Sequence, residues 1–215
     1  MTRTPGAPAA RNATMTVMAA AMAVAAVGFA GAAHAAPDPQ NNGMHGDPAA
    51  AAPFWRYQQQ NLDCGEMAVA DVIGELTGNQ PSEAEITATA ANIPSTKHAG
   101  PIYTPSGRTS NRDLPVLLAH YGIASEGIET NMATLEGALD QGHKVIAGVN
   151  DRIIWNTSGD RSTENHFVVV TGIDTKAGVV HLNDSGARAG RDEQVSMAAF
   201  EAAWGTSGNF AVVTR

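Results

Sequence analysis

The chain has 215 residues, with 13 Lys and Arg against 21 Asp and Glu, a formal net charge of −8, and one cysteine. A surface of that sign repels phosphate backbones and anionic lipid headgroups, and no basic run interleaved with aromatics offsets it, which argues against nucleic-acid binding. A single cysteine also excludes an internal disulfide.

Residues 1–14 carry Arg3 and Arg11 but no acid, and residues 15–33 form an uncharged run rich in Ala, Gly and Met that leads into Ala33-His34-Ala35. Small residues at those two positions after such a run read as a secretory signal peptide over residues 1–35, cleaved after Ala35, rather than as a retained anchor. The mature chain would be secreted or held in the cell envelope, with 11 basic and 21 acidic residues and no further membrane span. Ten Arg against three Lys, in an Ala-rich chain, suggest a GC-rich bacterial genome. Residues 36–53, with four Pro, two Gly and hardly any large apolar side chain, read as a disordered linker. The folded domain is then expected over residues 54–215, enough for one core.

Within that domain a helix is expected from Cys64, with Val69, Val72, Ile73 and Leu76 at helical spacing, Asp63 at the N-cap and Thr77-Gly78 as the stop. Further helices are expected over residues 82–91, 111–121 and 131–141, the last two ended by Gly122 and Gly142. Beyond Gly142 short Val-rich runs at 144–149, 166–173 and 179–182 read as strands, followed by a helix over 197–204 and a strand over 209–213. Helices first and strands later describe an α+β domain with helices on one side of an antiparallel sheet.

An exported protein with a lone cysteine needs a reason for it, and Cys64 stands in the first turn of a helix, where free N–H groups and the macrodipole favour a thiolate. Gly65 fits a close approach of substrate to the backbone. Gln58, six residues upstream, could donate with the Cys64 N–H to an oxyanion, although three consecutive glutamines make the choice less unique. Of seven histidines, His166 heads a buried strand and is the candidate base, with His181 as its competitor. Asp184 or its neighbour Asn183, at the end of the next strand, can orient the imidazole if the two strands are adjacent and antiparallel. Trp55, Trp155 and Trp204 read as core or cleft-wall aromatics. No zinc-ligand spacing, phosphate loop or G-x-S-x-G elbow is present, and no cofactor or metal is expected.

Gln58, then Asp63-Cys64-Gly65, then His166 on a Val-rich strand and Asn183-Asp184-Ser185 after the next one together resemble the bacteriocin-processing, double-glycine peptidases, and more closely their stand-alone exported relatives in the papain-like superfamily. The resemblance extends over residues 54–215 and implies a papain-like fold and hydrolysis of a peptide or protein substrate. It assigns Cys64 as nucleophile, His166 as base, Asp184 as orienter and Gln58 as oxyanion donor. No transporter domain follows, so leader-peptide cleavage is not implied. A cell-wall amidase or endopeptidase, or an inert exported binding module of the same fold, are the competing readings; Gln58 and Asp184 favour the cysteine peptidase over the amidase.

Overall fold

The computed structural model describes residues 1–2 and 43–215, so the run read as a signal segment and the start of the linker lie outside the described residues. In chain order the elements are β1 (Met44–Gly46), α1 (Pro48–Ala51), α2 (Cys64–Thr77), α3 (Glu83–Ala90), α4 (Leu114–His120), β2 (Ser125–Glu129), α5 (Met132–Asp140), β3 (Val145–Val149), α6 (Asp151–Ile154), β4 (His166–Asp174), β5 (Val179–Asn183), β6 (Glu193–Ser196), α7 (Met197–Trp204) and β7 (Phe210–Thr214). None of the described helices is long and apolar enough to cross a membrane.

Local signals set the helix ends. Ser82 and Glu85 form a reciprocal capping box on α3, and Asn131 accepts from the Thr134 N–H at 3.1 Å to start α5. Gly78 ends α2 in the left-handed region, where a glycine avoids the Cβ clash. α4 begins at Leu114 rather than 111, with Pro115 in its first turn.

Among the described residues the strands form one antiparallel sheet in the order β2-β7-β3-β4-β5-β6, and β1 pairs with the far end of β4. β3 and β7 are buried at every residue, and β4 at all but its last. Two cores explain this. Ile146, Phe167, Val169, Phe210 and Val212 pack under α2, α3 and α4, while Val145, Ala147, Val168, Val170, Ala211 and Val213 pack under α5 and α7. The expectation of helices on one side only is therefore corrected: the N-terminal helices cover one face, and α5 and α7 cover the other. Continuous Val-rich runs, apolar in both parities, are the signature of such two-sided burial. β2 and β6 were not anticipated, because at the sheet edges their sequences, Ser125-Glu126-Gly127-Ile128-Glu129 and Glu193-Gln194-Val195-Ser196, stay polar.

The linker reading is corrected over its described part. Residues 43–53 form β1, α1 and a short 3-10 turn, with Met44 opposite Asp174 and Ala51 1% exposed. Composition hid this because backbone pairing with β4 and close approach at glycines, rather than apolar bulk, hold the segment. Gly46 has φ +87°, and a Cβ there would lie 2.6 Å from the Thr171 carbonyl oxygen. Gly46→Ala is expected to lower stability by about 1–3 kcal/mol, read as a lower urea midpoint; an unchanged midpoint would mean that residues 43–53 do not dock on the sheet.

Candidate active site

Cys64 is the first residue of α2 and is half-buried with a free thiol. Asp63 takes the N-cap position, as expected, but its side chain makes no capping bond to the helix. The positive end of the helix is thus not consumed by a carboxylate cap and remains available to the thiol. Gly65 serves packing: a Cβ there would lie 3.0 Å from Leu114 Cδ2 and 3.3 Å from Phe167 Cδ2. Its lack of a side chain lets α2 lie close against α4 and β4, instead of opening the backbone to substrate.

His166 and Asp184 meet as the strand argument requires. His166 Nε2 lies 2.6 Å from Asp184 Oδ1, and the two residues are 6% and 0% exposed. With Nε2 engaged, Nδ1 is the ring nitrogen left for other chemistry. Asp184 is itself held by the Gly186 N–H, which donates to Oδ1 at 2.7 Å, and by the Trp155 indole N–H, which donates to Oδ2 at 2.9 Å. Trp155 also tilts against the imidazole with ring centroids 5.5 Å apart, and the Trp55 indole donates to the Asp184 carbonyl at 2.6 Å. Gly186 passes so close to the imidazole that a Cβ would lie 2.9 Å from His166 Cε1.

Sequence reasoning missed the polar roles of Trp55 and Trp155 and the steric role of Gly186, since nothing local marks an indole N–H as the partner of a distant carbonyl or carboxylate. Trp204 is core, with its N–H donating to the Phe210 carbonyl at 2.8 Å.

Asn183, the alternative partner for the imidazole, points elsewhere. Its Nδ2 donates to Asp71 Oδ2 and to the Ala51 carbonyl, each at 3.0 Å, tying β5 to α2 and α1. His181 is separated from the site: it pairs across the sheet with Gly172, six residues along β4 from His166 and hence roughly 20 Å away, and its Nδ1 contacts Asp192 at 2.7 Å.

The imidazole and carboxylate sustain each other's charge. Burial by itself pushes the His166 pKa down, but the Asp184 charge and hydrogen bond, joined by a hydrogen bond and charge interaction with the Cys64 thiol, hold it well above 6.5. Burial pushes Asp184 up, yet the His166 charge and the bonds from His166, Gly186 and Trp155 leave it below 3.8. Behind this pair, burial and then the neighbouring Asp184 carboxylate raise Glu193 to about 7. Around the start of α2, burial and a hydrogen bond with Glu83 raise Asp63 to about 8, and burial raises Glu66 to about 7 although Thr109 donates to it. At neutral pH Asp63 is therefore largely uncharged, and the residue next to Cys64 does not oppose a thiolate.

Gln58 is anchored to Ser185 and to Asp63, the residue before Cys64. Its backbone N–H donates to the Ser185 carbonyl at 2.9 Å, and its Oε1 accepts from Ser185 Oγ at 2.9 Å. Its amide nitrogen donates to the Gln60 carbonyl at 2.7 Å and to Asp63 Oδ1 at 3.2 Å. Both amide hydrogens are thus engaged inside the loop, the one toward Asp63 by the longer bond.

A helix N-terminus carrying a cysteine, packed on an antiparallel sheet whose strand supplies a carboxylate-bound histidine, defines a papain-like α+β fold of the cysteine-peptidase type. The profile of the Peptidase_C39 like family matches residues 52–212, and the chain belongs to that family. Uncharacterized proteins of Mycobacterium bovis and Mycobacterium tuberculosis are 44% identical over 239 aligned residues that cover 100% of this chain and of each relative. Among solved structures, a C39-like peptidase from Bacillus anthracis superposes with a TM-score of 0.59 at 18% identity, covering 80% of this chain and 97% of that one. The peptidase domain of Streptococcus ComA, a bifunctional ABC transporter, superposes at 0.53 with 17% identity, covering 74% and 96%. Both carry the same fold.

The ion pair sets a pH window for stability. Asp184, held below 3.8, contributes stability that is present above that value and is lost as pH falls through its folded pKa; His166, held above 6.5, contributes stability that is complete below 6.5 and is lost as pH rises through its folded pKa. Asp184→Asn is expected to cost roughly 3–5 kcal/mol inside that window. The gap to the unmutated protein, measured by chemical unfolding across pH, should narrow on the alkaline side; a gap independent of pH would mean that the imidazole carries no proton in the folded state.

Proposed function

We propose that this protein is an exported cysteine peptidase that hydrolyses peptide bonds, with Cys64 as nucleophile, His166 as general base and acid, and Asp184 as the orienter of the imidazole. The observation that carries the reading is the commitment of His166 Nε2 to a buried Asp184, which fixes the tautomer and leaves Nδ1 for the thiol at the start of α2.

In that mechanism the Cys64 thiolate attacks the scissile carbonyl carbon, a C–S bond forms, and the carbonyl oxygen becomes an oxyanion. The Cys64 backbone N–H and the Gln58 amide are its donors. Gln58 must first exchange one of its present bonds, and the longer one, to a largely neutral Asp63, is the weaker. The His166 imidazolium then gives its Nδ1 proton to the leaving amine as the C–N bond breaks. Water attacks the resulting thioester, His166 takes its proton, and cleavage of the C–S bond releases the acid and restores the thiolate. Every step uses groups of this chain and water alone.

Export rests on the basic start, the apolar run and the Ala33-His34-Ala35 site. Secreted protein should begin at Ala36 by N-terminal sequencing, and an intact Met1 in a membrane fraction would make the segment an anchor. One observation favours a second reading, a binding module without turnover, namely that both Gln58 amide hydrogens are engaged.

Thiol alkylation separates the two. Cys64→Ala should abolish hydrolysis and labelling while leaving the fold intact. In the unmutated protein alkylation should stay fast well below pH 7, and His166→Ala should move its midpoint toward about 8.5, with His181→Ala as the silent control. Gln58→Ala should lower turnover by about 10² to 10³ without moving that midpoint. A thiol that already titrates near 8.5 before mutation would support the binding module.

A further inference from the structure

Two arginines stand at the rim of this site without a carboxylate to neutralise them. The Arg188 guanidinium lies over the Tyr57 ring at 4.9 Å from its centroid, and that of Arg191 lies over the Trp55 ring at 5.4 Å. Both residues are exposed, and neither makes an ion pair among the described residues. Arg112 is the useful contrast, since it also stacks on an aromatic ring, that of Phe210, but pairs with Glu129 at 3.6 Å. Arg56 belongs to neither group: it donates to the Pro81 carbonyl at 3.1 Å and faces Glu85. The carboxylate next in sequence to Arg191, Asp192, is occupied by His181. In a chain of net charge −8, these are two cations outside any ion pair among the described residues.

Its position is fixed by the site itself. Tyr57 precedes Gln58, whose backbone is bonded to Ser185, and Trp55 is bonded to the Asp184 carbonyl. Gly186, in contact with the His166 ring, lies two residues before Arg188. Two Cα steps span at most about 7.6 Å, and an extended peptide advances about 3.3–3.6 Å per residue. The ring attracts each guanidinium from one side, and neither guanidinium makes a hydrogen bond among the described residues, so N–H groups remain for bonds to an oxyanion.

We propose that Arg188 and Arg191, braced on Tyr57 and Trp55, form a clamp that binds a carboxylate of the substrate peptide about two residues from the bond to be cleaved. The proposal rests on the peptidase reading and narrows it to substrates that present a carboxylate at that distance. The carboxylate is an Asp or Glu side chain or the peptide's own C-terminus, and the experiment distinguishes them.

Binding to the Cys64→Ala protein, by calorimetry at low salt, needs no turnover and so is independent of whether Cys64 is reactive. The probes are Ala/Gly peptides of equal length: one neutral and amidated, one amidated with an internal Glu, one without Glu but with a free C-terminal carboxylate, and one amidated with an internal Lys. One or both carboxylate peptides should bind about tenfold or more tighter than the neutral one, and which of them does so identifies the carboxylate. That preference should shrink with added salt, because exposed charges are screened. Arg188→Gln with Arg191→Gln should remove it, and Arg188→Glu with Arg191→Glu should transfer it to the Lys peptide. Equal binding of all four, no binding, a preference that survives both double substitutions, or binding of inorganic polyphosphate in place of either carboxylate peptide would overturn the clamp. Loss of Cys64 alkylation at low pH in the unmutated protein would overturn the peptidase reading while leaving the binding result to stand by itself.

Discussion

The register between β4 and β5 is the constraint on which the site depends. Val169 stands opposite Asn183, so Asp184, one residue further, falls on the same side of the sheet as Val168 and His166. A slip of one residue would present Asn183 or Ser185 to the imidazole instead and would turn Val180 and Leu182 of β5 away from the core they share with Val168 and Val170. Register is specified here from several directions at once, because β4 is paired along its length with β3, β5 and β1 and is buried on both faces. Asn183 adds a further lock by reaching across to Asp71 on α2. The strand that carries the carboxylate and the helix that carries the thiol are thereby joined through one amide.

Burial then decides which of the many acidic groups near the site are charged. Asp184 receives three hydrogen bonds to its carboxylate, one of them from the cationic His166, so it stays ionised at 0% exposure. Asp63 and Glu66, in the same protein and equally enclosed, lack such a set; each keeps one buried oxygen without a partner, and both have raised pKa values. The net result is a charge pattern opposite to what a count of acids near Cys64 would suggest: negative where it supports the imidazolium, neutral where it would oppose a thiolate. As pH rises through about 8, Asp63 acquires charge beside Cys64 and the pattern weakens from that side.

Much of the fold was legible because its signals are local. Caps at Ser82 and Asn131 and terminators at Gly78, Gly122 and Gly142 set helix boundaries within a few residues, and the three Val-rich runs became β3, β4 and β5. The failures share a cause as well. β2 and β6 are edge strands whose polar residues conceal them, and β1 is held by backbone pairing and the fit of Gly46 against Thr171, neither of which leaves an apolar pattern. Apolar residues in both parities of β3 and β4 did announce burial on two faces, but the order of elements along the chain was read as a single helical layer.

The sequence by itself determined the chemical types and their order: a lone thiol at a helix start, a histidine heading a buried strand, an acid ending the next strand, and a glutamine upstream. Those follow from residue identity, spacing and periodicity, which are one-dimensional. Tertiary structure alone decided which side chain meets His166, since the adjacent Asn183 and Asp184 project to opposite faces of the sheet, and it alone brought Trp155 and Gly186 to the Asp184 carboxylate and Trp55 to its backbone carbonyl. It also set the protonation of Asp63 and Glu66, because the cost of ionising a buried carboxyl depends on the solvent excluded and the donors gathered around it, and both are contributed by residues distant in the chain.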